Sequence, residues 1–297
     1  MTIQTKDLLQ WLPGQRWFGT TAKPERLDVV DVIVLDDGPP ELVLALVRVF
    51  LEDGTNGLYQ LPLLVDGDGR ARDALEEAWR LSVLGELMAH GHAVKGDHGA
   101  IECGGPGLDP MAPPGPGSVR PIGAEQSNTS VVLDDRVILK LFRRVEPGSN
   151  PDLELCRLLT NEGFENVPPQ VGELTYRGEI DGEEISIDLG VAQMYVRDAS
   201  DGWDDTRRRL GALLDQVDDA DLAEDRRFLV EERGAALLDS IAELGEATGA
   251  LHVALSREET HPDLAPEPVE PEDLKAWADS AAAYLDDLRA GGVGGRS

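Results

Sequence analysis

The chain has 297 residues, enough for one large domain or for two to three small ones. Its 57 acidic and 27 basic side chains give a formal net charge of -30, which excludes nonspecific nucleic-acid binding because that needs a cationic face. The same charge argues against docking on anionic lipid.

The composition also bounds the compartment. Two cysteines, Cys103 and Cys156, are too few for a disulfide scaffold or a Cys-rich zinc site. The N-terminal residues show no signal-peptide pattern, and no run of about 18 apolar residues predicts a membrane span. We therefore expect a cytoplasmic protein with neither a nucleic-acid nor a membrane partner.

Residues 1–88 predict a small unit of strands followed by a helix. Apolar runs separated by turns that contain Gly and Asp are typical of an antiparallel meander, and they cover residues 27–35, 41–51 and 58–65. A 3.6-residue apolar period then predicts a helix over 71–88. Residues 89–118 are rich in Gly and Pro and predict a connector, a hinge or long loop rather than core.

Residues 119–197 predict a second unit in which strands surround one helix. The strand segments are 119–122, 129–133, 136–142, 170–176 and 184–196. Asp134 and Asp135 predict a tight hairpin between the second and third segments. Asn150 and Pro151 start the helix, and Gly163 stops it. The order of elements favours an α+β lobe.

Residues 198–297 change to a helical pattern. Apolar periodicity predicts helices over 206–217, 228–255 and 273–288, with a connector rich in Pro and Glu before the last one. The fold class predicted for the whole chain is α+β: a small β-plus-helix domain, a mixed lobe, and the beginning of a helical lobe.

The segment directly before residues 129–133 could bind an anion. Ser127, Asn128 and Thr129 offer hydroxyl and backbone N–H groups that could cradle phosphates, although the segment lacks the spacing of a Gly-rich loop. On its own this pattern also fits an ordinary polar turn.

Lys140 is one of five lysines and lies between apolar residues of a predicted strand. A buried ammonium needs a counter-charge, and Glu154 on the following helix could supply it. A strand lysine paired with a helix glutamate is how protein kinases hold the α- and β-phosphates of ATP. The alternative is a solvent-facing lysine and an ordinary surface acid.

The strand that ends at residue 196 runs into the helical region and fits a kinase hinge. The backbone groups of such a hinge would contact the adenine edge, and the residues concerned are Gln193, Met194, Tyr195 and Val196. The succession of anion loop, strand lysine, helix glutamate, strand pair, hinge and helices matches the kinase order.

Five segments together resemble the bacterial maltokinase family. They are WLPGQRWF at 11–18, EQSNTS at 125–130, NPDLE at 150–154, QMYV at 193–196 and LGEATGALH at 244–252. The resemblance covers nearly all of residues 1–260. It implies an N-terminal cap domain joined to a kinase similar to aminoglycoside phosphotransferases, which makes maltose 1-phosphate from ATP and maltose. Related actinobacterial members phosphorylate glucosamine.

The resemblance also implies roles for the candidate residues. Ser127, Asn128 and Thr129 would cover the phosphates, Lys140 would hold the α- and β-phosphates, and Glu154 would orient Lys140. It implies domains at 1–88 (cap), 89–118 (connector), 119–197 (N-lobe) and 198–297 (an incomplete C-lobe). The cofactors implied are ATP and Mg²⁺, and the partner is a small sugar.

The sequence departs from the family where catalysis is expected. Such kinases carry a His-Gly-Asp catalytic segment and a later metal-binding Asp, and none of the five histidines here is followed by Gly-Asp. We therefore recognise no catalytic residue and no metal ligand, and we expect the chain alone to transfer no phosphate. The alternatives are a non-catalytic nucleotide-binding or regulatory protein and a member of the glucosamine kinase type.

Overall fold

The computed structural model describes residues 3–105, 119–122, 128–219, 223–257 and 268–289. The chain divides into two compact units, residues 1–247 and residues 248–297. Among the described residues, no helix is long and apolar enough to span a bilayer.

The first sheet is built mostly from the N-terminal residues, after helix α1 (Thr5–Trp11) and two short 3-10 helices (Leu12–Gly14 and Arg16–Phe18). Its strands are β1 (Pro24–Asp36), β2 (Glu41–Leu51), β3 (Asn56–Val65), β4 (Ala71–Asp73) and β10 (Arg144–Val145). They run in the order β1-β2-β3-β10, with β4 also paired to β3. The predicted antiparallel meander is confirmed.

Strand β2 is buried on both faces, which explains its nearly continuous apolar sequence. Val43, Ala45 and Val47 pack in the cluster that contains the α1 side chains. Leu42 and Leu44 face the other way, into a larger cluster shared with the second sheet. The first sheet therefore forms a middle layer between α1 and the second sheet.

The segment predicted as one helix over 71–88 has three parts. Residues 71–73 form β4, Ala74–Leu81 form a 3-10 helix with a kink at Glu77, and Ser82–His90 form helix α2. The Asp73 carboxylate accepts a hydrogen bond of 2.8 Å from the backbone N–H of Leu75, which starts the helical part after the strand.

The second sheet has seven strands in the order β5-β6-β11-β12-β9-β8-β7. They are β5 (Ala93–Lys95), β6 (Gly99–Gly104), β7 (Val119–Ile122), β8 (Asn128–Leu133), β9 (Val137–Phe142), β11 (Gln170–Ile180) and β12 (Glu183–Met194). Helix α3 (Pro151–Asn161) lies in the chain between β10 and β11 and begins where predicted, since the Asn150 side chain accepts a hydrogen bond of 2.9 Å from the backbone N–H of Asp152.

The prediction of a connector over 89–118 is wrong for residues 93–104, which form β5 and β6. Ile101 and Cys103 are buried in the core, and β6 pairs with β11. Gly99 signals close packing rather than a loop, because a Cβ there would lie 2.5 Å from the backbone oxygen of Arg177. Residues 106–118 lie outside the described part of the chain, and the domain boundaries stay a prediction.

The hairpin between β8 and β9 is confirmed, with a turn one residue longer than a two-residue turn. The turn covers residues 134–136 and joins the pair Leu133 and Val137. Asp134 and Asp135 have φ values of 52° and 49°, the left-handed region that short-chain polar residues tolerate.

The three predicted helices of the C-terminal third are confirmed as α4 (Gly202–Asp219), α5 (Ala223–Leu255) and α6 (Pro271–Arg289). Asp201 caps α4, its carboxylate accepting hydrogen bonds of 2.9 Å and 3.0 Å from the N–H groups of Trp203 and Asp204. Large apolar side chains of α4 and of the first part of α5 are exposed: Leu210, Leu214, Phe228, Val230, Leu238, Ile241 and Leu244.

Candidate functional site

Lys140 occupies the middle of β9, with β8 on one side and β12 on the other. It pairs with Ser130 on β8 and with Val191 on β12. Directly paired residues in neighbouring antiparallel strands carry their side chains on the same face, so Ser130 and Val191 flank Lys140 on one face of the sheet. Lys140 is half-buried there.

Helix α3 comes close to this face. The helix contacts β11 and β12. Burial raises the pKa of the Cys156 thiol on this helix, and the positive charge of Lys140 partly offsets that rise. Glu154 lies on the same helix and is half-buried. The ion pair between Lys140 and Glu154 stays a prediction.

Two polar contacts tie α3 to the sheet. At its start, the Asp188 carboxylate accepts a hydrogen bond of 2.9 Å from the backbone N–H of Asn150. In its last half, Arg157 forms an ion pair of 2.9 Å with Glu173 on β11. The position of α3 beside Lys140 is thus set by contacts to β12 and β11.

A glycine allows β12 to approach β9 at Lys140. A Cβ on Gly190 would lie 2.5 Å from the backbone oxygen of Lys140, a distance that real Cβ atoms essentially never show. Any side chain at position 190 would therefore push the two strands apart at the candidate nucleotide lysine.

The predicted phosphate-binding residues have different placements. Ser127 lies outside the described residues, and Asn128 is the half-buried first residue of β8. The Thr129 side chain is buried on the face opposite Lys140, and its hydroxyl accepts a hydrogen bond of 2.6 Å from Nε of Arg143. Sequence reasoning chose Thr129, whereas strand register brings Ser130 beside Lys140.

The predicted hinge is fastened to the rest of the chain by its N–H groups. The N–H of Met194 donates to Pro169 O at 3.0 Å, and the N–H of Tyr195 donates to Arg136 O at 2.8 Å. These two N–H groups could not donate hydrogen bonds to an adenine base without losing the bonds that they make here. Their predicted use as donors to the base is corrected accordingly. The side-chain amide of Gln193 is committed as well, donating to Pro168 O at 3.0 Å, while Val196 is exposed.

Within the ranges that the structure describes, no group of three or more His, Cys, Asp or Glu side chains could hold a metal ion. A Mg²⁺ ion bound with a nucleotide usually takes one or two protein carboxylates and completes its coordination with phosphate oxygens and water. The use of Mg²⁺ that the resemblance implies stays a prediction.

Two comparisons with known proteins agree with the predicted resemblance to sugar kinases that carry a cap domain. Residues 11–93 match the family model described as the maltokinase N-terminal cap domain. A curated glucosamine kinase from Mycolicibacterium smegmatis is 26% identical over 167 residues, which cover 56% of this chain and 36% of that protein. The resemblance to cap-bearing sugar kinases is confirmed by these two matches.

Solved structures extend the likeness to the fold. A glucosamine kinase in complex with glucosamine, ADP and inorganic phosphate superposes with a TM-score of 0.60 at 22% identity, covering 98% of this chain and 59% of that one. A second glucosamine kinase structure, crystal form B, gives 0.59 at 21% identity, covering 90% and 53%. The chain thus spans a little over half of these structures and about a third of the curated relative, and the predicted α+β fold with a cap is confirmed.

Proposed function

Because residues 11–93 match the maltokinase cap model and the chain shares its fold with a glucosamine kinase, we propose that it is the nucleotide-binding region of an ATP-dependent sugar kinase. The observation that carries the proposal is the position of Lys140: it lies at the centre of β9, between β8 and β12, on the face to which α3 is held through Asp188 and Glu173. Kinases hold ATP phosphates with a lysine in this place.

Lys140 is suited to this role by charge and surroundings. An ammonium that is partly withdrawn from water interacts more strongly with phosphate oxygens than an exposed one does. In a chain of net charge -30, it supplies local positive charge for a polyanion. Asn128 and Ser130 lie on the same face of β8 and could donate hydrogen bonds to the bound phosphates.

The remaining predicted contacts complete the proposal. Glu154 would balance the charge of Lys140 and set its direction, and residues 193–196 would border the base. Since the N–H groups of Met194 and Tyr195 are in use, the base would contact carbonyl oxygens or Val196. A Mg²⁺ ion bound with the nucleotide would take phosphate oxygens and water as ligands, together with one or two carboxylates that the proposal does not assign.

Two acceptor sugars are in question. The curated relative and the solved structures are glucosamine kinases, which favours glucosamine, whereas the cap model is named for maltokinase, which favours maltose. The second candidate function is a non-catalytic nucleotide-binding or regulatory protein. Residues 1–297 include no His-Gly-Asp segment, and the phosphate-transfer assay below distinguishes this candidate from a kinase.

The test is ADP and ATP binding by calorimetry, with Lys140→Ala compared with Lys95→Ala. Lys95 is an exposed lysine on β5, so its loss removes the same charge away from the site. We expect Lys140→Ala to weaken binding at least about tenfold, the scale of one charge-assisted phosphate contact, and Lys95→Ala to leave it unchanged. A wild-type chain that binds neither nucleotide would contradict the proposal.

An assay with ATP, Mg²⁺ and each sugar separates the candidate functions. We expect no phosphate transfer from residues 1–297 alone. Turnover that Lys140→Ala abolishes would show that a catalytic acid lies within this chain, and the sugar consumed would identify the acceptor.

A further inference from the structure

A buried polar cluster connects the cap to the strands that carry the candidate site. We call Asp73, Arg143 and Thr129 the clamp. The Arg143 side chain follows β9 directly and is fully buried. Its Nε donates to the Thr129 hydroxyl at 2.6 Å, and its Nη2 donates to the Asp73 carboxylate at 2.9 Å. Its guanidinium carbon lies 4.9 Å from the centre of the Trp17 ring.

A second buried residue of the cap holds the same end of the sheet. Gln60 on β3 is fully buried, and its side-chain amide donates to Phe142 O at 3.2 Å and to Leu189 O at 2.9 Å. The pairing of β9 with β12 ends at Leu141 and Gly190. Gln60 therefore joins the two strands one residue beyond their last pair.

These contacts lie close to Lys140 along the chain and in the sheet. Thr129 precedes Ser130, the residue paired with Lys140, and Arg143 follows Phe142, which pairs with Asn128. The clamp and Gln60 thus form hydrogen bonds with β8, β9 and β12 at one end of the sheet, away from the face that carries Lys140. Apolar packing there would hold the layers together, but directional hydrogen bonds also fix how one strand lies along the next.

We propose that the cap is a positioning device for the nucleotide site: Asp73 and Gln60 hold Arg143, Thr129 and the ends of β9 and β12, and so fix Ser130 and Lys140 for phosphate binding. This inference rests on the proposed function. The clamp residues face away from Lys140 and are positioning residues, which act through strand placement rather than by touching the nucleotide. Loss of the clamp therefore leaves Lys140 present but less well placed, and this lowers affinity.

The test uses the full 297-residue chain and ADP as the probe. Thr129→Val removes the hydroxyl at nearly constant shape, and Thr129→Ser restores it. Val47→Ala weakens apolar packing in the cap without removing any hydrogen bond of the clamp or of Gln60. Gln60→Met removes the second contact and serves if Thr129→Val fails to fold. The measurements are ADP affinity and hydrogen exchange of the amides in 128–142.

We expect Thr129→Val and Gln60→Met to raise the Kd for ADP by about tenfold and to speed exchange in β8, whereas Thr129→Ser stays within about twofold of wild type. A merely structural role predicts that Val47→Ala weakens ADP binding as much as Thr129→Val does, and that result would overturn the proposal. Unchanged affinity and exchange in both Thr129→Val and Gln60→Met would also overturn it. If the wild type binds no ADP, the proposed function fails, and the exchange data alone decide whether the clamp fixes β8.

Discussion

The two sheets bury their large apolar side chains, whereas the helices that follow them expose many of theirs. Every residue of the two large buried clusters lies between Ile3 and Ala192. On α4 and the first part of α5, by contrast, large apolar side chains such as Leu238 and Leu244 are each 66% exposed. The apolar burial that stabilises the first unit therefore comes mostly from the sheets. Helices α4 and α5 instead expose apolar surface of the kind that is usually covered by another surface.

The largest effect is expected where the sheets bury a charge. Asp73→Ala removes the carboxylate that balances Arg143, and an unpaired buried guanidinium costs about 3–5 kcal/mol of unfolding free energy. Burial lowers the pKa of Arg143 and the Asp73 charge opposes that shift, so the variant is expected to lose stability at neutral pH. Urea unfolding measures the loss.

A control for this variant removes the charge as well. Asp73→Ala combined with Arg143→Met is expected to be more stable than Asp73→Ala alone, because no buried charge then lacks a partner. A double variant that is less stable than the single one would contradict the buried-charge explanation.

The second prediction compares the same substitution in the two regions. Leu44→Ala in the fully buried core is expected to cost about 2–5 kcal/mol, the usual range for a large-to-small core change. Leu238→Ala on α5 is expected to cost less than about 0.5 kcal/mol, since Leu and Ala have similar helix propensity and little area is lost. Similar costs at the two positions in urea unfolding would remove the contrast.

The third prediction concerns the exposed helix surface. Replacing Leu238 and Leu244 together by Gln is expected to reduce self-association and binding of a hydrophobic dye, with a stability change within about 0.5 kcal/mol. Light scattering and dye fluorescence measure these changes. The matched control is Ala242→Gln, an exposed and uncharged position on the same helix, and equal loss of association in that variant would assign the effect to the added Gln side chains instead of the lost apolar surface.

The smallest effect is expected on the reactivity of the two cysteines, which lie in and at the edge of the buried region. Burial raises the pKa of Cys103 to about 12, so it is almost entirely an unreactive thiol at pH 8. The pKa of Cys156 is also raised, but Lys140 opposes the rise, so Cys156 is expected to react first and faster as pH increases. Lys140→Ala raises that pKa further and is expected to slow labelling severalfold at pH 8, whereas Lys95→Ala leaves it unchanged.

Much of the fold could be predicted from sequence because its signals are local. Apolar runs and turn residues defined the meander of β1 to β3, and Asn150 with Pro151 defined the start of α3. Strands β5 and β6 were missed because β5 has only three residues and β6 begins and ends with Gly. Among the described strands, β5 pairs only with β6, and β6 pairs with β11, which follows by many residues and leaves no local pattern.

The kinds of residue at the candidate site could be predicted from sequence, but the strand register that places them could not. Lys140 was identified because it interrupts an apolar strand, but a two-residue turn at Asp134 and Asp135 would have paired it with Thr129. The turn includes Arg136, which moves the partner to Ser130 and turns Thr129 toward the cap. Arg143 was missed because a charged residue at a strand end looks exposed until the cap covers it.

Strand β10 has a consequence for how the protein is made. The cap sheet reaches its full width only when Arg144 and Val145 pair with Tyr59 and Leu58, and those residues are synthesised after strands β5 to β9. On the ribosome, the edge of β3 must therefore wait unpaired at these positions while the middle of the chain emerges. Such a delayed long-range pairing slows folding and exposes a strand edge to wrong partners in the meantime.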